Sequence, residues 1–329
     1  MRYKVDTSLE YLSRYFNKFF KKEVYTWIKV IRFYRVSLLF FFIITFSLFA
    51  YFKPLPPKKT ILAIGSEGSS YASLSDSYQE TFKSQGLSLE LVPTNGLGEG
   101  LNMLNSSQSP VDASFLTAGV YTGKDFPDLV SLGSIQYAPL WIFYRGAAVQ
   151  PNDPFDYFSN KKISIGPPGS VTNKLYRKLY NLDRDSQNTL HNALELPPKD
   201  AASKLIASEI DAVFVVDSVA SETVQHLATN HQIKIMSFSM ADAYLKNFDF
   251  LSKLTIPKGS INIKKIWPEQ DITILSTTTA LLVEKDTHPA IQWAYLLAAK
   301  DAEISTNSYF SPPGYFPRIM DVNFPLSPI

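Results

Sequence analysis

The sequence predicts an α/β fold in two lobes behind an N-terminal transmembrane helix, and three observations predict it. A strand, a loop of small residues and a helix start occur twice, at 61–74 (ILAIGSEGSSYASL) and at 163–175 (ISIGPPGSVTNKL). Short β-rich apolar runs alternate with helical periodicity through the rest of the chain, the pattern of an α/β sheet with parallel pairing. Upstream of both, residues 36–52 (VSLLFFFIITFSLFAYF) contain no charged residue, proline or glycine.

The N-terminal segment, 1–35, carries nine Lys/Arg against three acids, a surplus of six, so the remainder stands at −4 within an overall +2. Leu9, Leu12, Phe16, Phe19 and Phe20 recur at helical spacing among these bases, as in an amphipathic helix lying on an anionic membrane face; the alternative is a solvated basic tail. The 17 residues of 36–52 span roughly 26 Å as a helix, slightly less than the ~30 Å hydrocarbon core, so Arg35, Lys53 and the flanking aromatics complete the crossing. The long basic lead and the poor fit of Leu48 and Ala50 to a cleavage site favour an uncleaved signal anchor over a signal peptide. The positive-inside rule then puts the N-terminus in the cytoplasm and everything after Lys53 outside. No basic surplus is left in that part for nucleic acid. Zero cysteines exclude disulfides and thiol chemistry.

Residues 53–59 (KPLPPKK) form a stiff proline-rich spacer. Beyond the first loop, the pattern predicts a helix over 76–84, a strand over 87–92, a turn and helix start over 94–104, and a strand over 111–116. Strands follow at 129–135 and 140–144, joined through Gln136, Tyr137, Ala138 and Pro139. A polar linker after Gly146 opens the second lobe. There the second loop is followed by a helix to about 182, a helix over 199–208, a strand over 210–216, a helix over 218–228 and a strand over 233–237. The apolar run 272–283 is expected to cross back to the first lobe, followed by a helix over 288–300 and an irregular tail rich in proline. The expected division is 60–145 with 275–329 for lobe 1 and 146–274 for lobe 2.

Each strand–loop–helix leaves backbone N–H groups unpaired at a helix start, and Ser69, Ser70, Ser170 and Thr172 place hydroxyls beside them. Each is a potential anion cradle, although the same pattern is ordinary in any α/β domain. Two of them suggest a small acidic molecule held between lobes whose helix starts face each other across a solvent-filled gap, with Tyr71 alongside. One helix terminus contributes about 0.3–1 kcal/mol, whereas micromolar binding needs about 8 kcal/mol. Thr94, Asn95, Thr117, Tyr137 and Asp217 are the candidates for the additional hydrogen bonds, and Glu67 for pairing with a ligand amine. Gly96, Gly98 and Gly100 do not make a dinucleotide fingerprint: the spacing is G-x-G-x-G, and a turn with a helix start is the plain reading. His191, His226, His231 and His288 lack partners at metal or triad spacing, and no nucleophile can be paired with a base, so neither enzyme activity nor a metal or cofactor is expected.

In order along the chain, GSEGSSYASLSDSYQETF, LELVPTNG, VDASFLTAGV, YAPLWIFYRG, ISIGPPGS and IDAVFVVDS resemble the TAXI family of solute-binding subunits of TRAP transporters, over about residues 59–315. The resemblance implies the type II periplasmic-binding-protein fold. It also implies capture of a small organic acid or amino acid such as glutamate, with delivery to a TRAP transporter membrane subunit. The family's ligand-contacting regions fall on Gly65, Ser66, Glu67, Ser69 and Tyr71, on Thr94 and Gly96, on Tyr137, on Gly169, Ser170 and Thr172, and on Asp217. The chain departs from the family pattern at Ala72, where a second tyrosine is usual, at Gly100, in place of an asparagine, and at Val171, in place of a glycine. Typical members are released into the periplasm, whereas this chain is expected to stay tethered to the bacterial inner membrane. The tether also supports an alternative, a sensing or scaffolding module that signals through its anchor to a protein partner.

Overall fold

No proline or glycine interrupts the first 53 residues, and the computed structural model has one helix there, α1 (Val5–Tyr51), in place of the two expected segments. It describes residues 5–51, 55–65, 69–181, 192–306 and 309–329. Within α1, Lys18–Phe49 is long and apolar enough to cross a membrane. The helix and the body that follows are separate compact units, Met1–Pro56 and Pro57–Ile329.

The body runs β1 (Lys59–Ala63), α2 (Ser70–Ser84), β2 (Ser88–Val92), α3 (Leu97–Leu104), β3 (Ala113–Thr117) and β4 (Leu129–Tyr144). It continues through α4 (Pro154–Phe158), β5 (Ile163–Ser164), α5 (Val171–Tyr180), β6 (Ala193–Leu194), α6 (Pro198–Ile206), β7 (Ala212–Val216), α7 (Glu222–Ala228) and β8 (Lys234–Ile235). It ends with α8 (Ala241–Asn247), β9 (Ser252–Ile256), β10 (Ile272–Glu284) and α9 (Pro289–Thr306). The strand order is β2-β1-β3-β10-β4-β7-β5-β6, with β8 on β4 and β9 on β10.

The sheet has the expected parallel pairing on both sides and is mixed at its centre. β2, β1 and β3 are parallel, as are β6, β5 and β7, but β10 and β4 run antiparallel to each other and to their outer neighbours. The cause is connectivity: β4 leaves the first half of the sheet and β10 returns to it, so the two must point in opposite directions. Residues 129–139 of β4 pair with β10, and 140–144 pair with β7. β10 likewise pairs with β9 up to Ser276, which lies opposite Pro139 on β4. Two strands therefore cross side by side at one level between the two halves of the sheet. The two strands expected at 129–135 and 140–144 are one strand, because Gln136, Tyr137, Ala138 and Pro139 find ladder partners in Thr279, Thr278, Thr277 and Ser276. Pro139 sits at the position where β4 changes partner, so its missing N–H interrupts neither ladder.

Each half builds its own core. In the first, Tyr78, Phe82 and Phe115 pack with Ala294, Tyr295 and Ala298 of α9. In the second, Phe155, Phe158, Tyr176 and Phe214 form a cluster of aromatic rings in edge and stacked contacts. The proline-rich tail forms isolated bridges only, Arg318 with Ser134 and Leu326 with Ser131, and lies along β4.

Gly100 has a packing reason. α3 lies so close to β1 and β3 that a Cβ there would stand 2.7 Å from Ser114 Oγ and 3.1 Å from Ala63 Cβ. Gly100→Asn, the residue of the resembling family, is expected to lower the unfolding free energy by about 1–3 kcal/mol or more through overpacking, read from urea unfolding; an unchanged midpoint contradicts this packing account.

Candidate functional site

Each strand–loop–helix segment touches the opposite half, and at the α2 start the contact is with the chain's own carboxylate. At the α2 start, Ser70 Oγ donates a 2.6 Å hydrogen bond to Asp217 Oδ1, although the two residues are 147 apart in sequence. The Ser70 backbone N–H and the Ser221 hydroxyl also bond the carboxylate, and Ser218 N donates to Oδ1 at 2.8 Å. Asp217 follows β7 directly, so the second half presents a carboxylate to the N-terminal end of a first-half helix. That is the arrangement the helix dipole and unpaired N–H groups favour. Its main chain is fixed as well: Trp141 Nε1 donates to the Asp217 carbonyl at 2.9 Å. Burial pushes the Asp217 carboxyl above its ordinary range, against the opposing pull of the hydroxyl and amide donors.

Tyr71 lies just inside α2, stacked on Phe115 with ring centroids 5.5 Å apart, its hydroxyl 2.9 Å from Thr279 Oγ1 and beside Thr117. Burial, together with the nearby Asp217 charge, pushes its phenol up to about 12, so it stays a neutral hydrogen-bonding group. Thr94 closes the next loop, its N–H donating to the Gly65 carbonyl at 2.9 Å and its hydroxyl to the Gly96 carbonyl at 3.0 Å. Gly65, Thr94, Gly96, Ser69 and Tyr71 therefore form one group, since a Cβ on Gly65 would touch Tyr71 and Ser69 Oγ. Ser66 and Glu67 lie outside the described residues.

In the second segment the hydroxyls are committed locally. Ser170 Oγ caps α5 by accepting from Asn173 N at 3.2 Å, and Thr172 Oγ1 accepts from Val216 N at 3.0 Å. Gly166, at φ +83°, is required here: a Cβ would stand 2.8 Å from Ser170 Oγ. Gly169 approaches the first half closely, its carbonyl oxygen 3.7 Å from where a Cβ on Gly98 would lie. Val171 packs against the first-half core, which accounts for a valine where the family pattern has glycine.

Two cations of α5 that the sequence reading did not single out also reach the first half. Lys174 Nζ bonds Tyr121 OH at 2.6 Å and lies 3.9 Å from that ring's centroid, and Lys178 Nζ donates to the Gly119 carbonyl at 2.7 Å. Their i, i+4 spacing on one face of the helix that follows the second loop is the signal that identifies them. Tyr137 shares a cavity with Ser70 and Ser218. It stacks on Tyr315 and meets Phe316 edge-on.

The α2 start is thus filled by the protein's own Asp217 carboxylate, bonded by donors of both halves. Among the described residues, no group of three or more His, Cys, Asp or Glu is placed to hold a metal ion.

The profile of the NMT1-like family matches residues 97–297. No protein of curated function matches the sequence. Among solved structures, the chain is similar to a protein from Bordetella bronchiseptica RB50, at 18% identity and a TM-score of 0.49, covering 76% of this chain and 72% of that one. The periplasmic aliphatic sulphonate binding protein SsuA from Escherichia coli gives 15% and 0.47, covering 76% and 74%. A putative methionine-binding lipoprotein from Bacillus subtilis subsp. subtilis str. 168 gives 13% and 0.45, covering 77% and 95%.

Proposed function

Because the chain belongs to the NMT1-like family, we propose that it is a solute-binding protein, held to the bacterial inner membrane by α1 with its body in the periplasm. In this reading the body closes over a small carboxylate-bearing ligand, an organic acid or an amino acid such as glutamate, and passes it to a TRAP-type transporter membrane subunit. The observation that carries the reading is Asp217 at the α2 start, where a carboxylate from one half is bonded by donors of the other. The protein's own group stands in for the ligand: an incoming carboxylate takes the Ser70 donors and Asp217 withdraws, leaving it free to pair with a ligand ammonium. Closure then excludes water and strengthens each of these bonds.

Isothermal titration of the detergent-solubilised full chain, stripped by partial unfolding and refolding, tests the reading with glutamate and a panel of organic acids. Micromolar binding of at least one acid is expected, weakened by about tenfold or more in Ser70→Ala. Absence of heat with every acid, in both the parent protein and the variant, contradicts it.

The same contact favours a second reading, a sensing or scaffolding module whose halves are held together by the protein's own carboxylate and whose state is read by a partner through α1. Purification of the full chain from its native membranes separates the two: a multi-span transporter subunit as main partner supports the first, and a signalling protein supports the second.

A further inference from the structure

Residues 18–35 of α1 carry six bases and one acid, Glu23, and none of these charges stands at 20, 24, 27, 31 or 34. Those positions hold Phe20, Val24, Trp27, Ile31 and Tyr34. They alternate by four and three, the a and d spacing of a heptad, and Leu38 and Phe41 continue the same register into the spanning segment. Lys18, Lys22, Lys29 and Arg32 fall on the opposite face of the helix, where Lys29 Nζ lies 5.0 Å from the centroid of the Tyr25 ring.

Lipid does not cover the apolar stripe. α1 runs unbroken from Val5 to Tyr51, with no proline or glycine to turn it into the plane of the bilayer. At the rise of a helix, Trp27 stands about 14 Å and Val24 about 18 Å before Val36, the first spanning residue, whereas the headgroup layer extends only about 5–8 Å beyond the hydrocarbon. An apolar stripe standing in water calls for a protein partner.

The 3.5-residue repeat specifies that partner as another helix, and the charge pattern specifies a second copy. Two such seams meet in parallel with their bases pointing away from each other, and copies anchored in one membrane already share an orientation. Val24, Trp27, Ile28, Val30, Ile31 and Tyr34 are each 39–63% exposed. Covering them on both copies removes roughly 1,000 Å² from water, enough for a specific interface of the smaller kind.

We propose that α1 pairs in parallel with α1 of a second copy of this chain, through a seam of Val24, Trp27, Ile31 and Tyr34 just outside the bilayer. The pairing rests on the reading of α1 as a membrane anchor.

The chain has no cysteine, so single cysteines placed in the full chain and oxidised in native membranes test the seam. Val24→Cys and Ile31→Cys are expected to give at least about fivefold more disulfide-linked dimer than Lys22→Cys and Lys29→Cys, because a disulfide needs Cα atoms within about 7 Å. On the Val24→Cys background, Ile31→Glu is expected to lower the linked fraction by about tenfold, by burying like charges in the seam, and Lys29→Glu to leave it unchanged. Equal linking at all four positions, or none, overturns the proposal. Seam cysteines that stay unlinked yet resist a water-soluble maleimide are covered by lipid, which overturns it as well. Alkaline carbonate extraction of the same membranes reports the anchor separately: retention without seam-selective linking overturns the pairing alone, and release into the supernatant overturns the anchor and the pairing with it.

Discussion

Asp217→Ala is expected to destabilise the body by about 2–4 kcal/mol at neutral pH and to loosen its two halves. The substitution leaves the Ser70 and Ser221 hydroxyls and the Ser70 and Ser218 amides without their acceptor. Asp217→Asn is expected to cost less, since its remaining oxygen can still take both donors that now share Oδ1. The pair also carries a pH signature. The carboxyl is raised in the folded protein, so the native state binds its proton more tightly than the unfolded chain does. The resulting stabilisation is complete below the ordinary carboxylate range and is lost as pH rises through the raised value. Relative to Asp217→Asn, the parent protein should therefore gain stability on acidification from neutral pH, measured by urea unfolding across that interval. A relative loss on acidification contradicts the burial of this carboxylate.

The second large effect is at Trp141, which is 2% exposed, stacks on Phe143 with centroids 5.8 Å apart and anchors the Asp217 main chain. It stands just past the point where β4 changes partners, packed with the second-half cluster that includes Leu254, Ile256, Ile272 and Ile274. Trp141→Ala should cost about 3–5 kcal/mol by cavity formation. Trp141→Phe keeps most of the packing and loses the indole N–H, so its cost should be nearer 1 kcal/mol. Urea midpoints rank the two; equal midpoints contradict the role given to the ring.

The order of strands and helices was legible because apolar periodicity and glycine breaks are local signals. Illegible were the elements whose support is distant. β9 reads as an ordinary polar stretch and becomes a strand through pairing with β10, and the joint at 136–139 becomes strand through the Ser276 to Thr279 ladder. α4 and α8 are too short for periodicity to declare. The site divides the same way. Ser69, Tyr71, Ser170 and Thr172 do stand at helix starts, as the hydroxyl-rich loops indicate, but what those hydroxyls bond depends on the partner half. Thr172 is taken by Val216, and the α2 start by Asp217, contacts that no spacing in the chain encodes. Gly100 and Val171, departures from the resembling family when read one by one, are both explained by close packing.

The most direct test of the account is the distance between the two halves, and the absence of cysteine makes it accessible. Spin labels at Ser107→Cys and Asn160→Cys, both exposed, report on the first and second halves by pulsed electron resonance. The account predicts that Asp217→Ala shifts the distance distribution away from that of the parent protein, and that a bound carboxylate restores the closed distance in the variant. One distribution, identical in the parent protein, in the variant and with every acid tested, would show that the halves do not move and that Asp217 does not hold them.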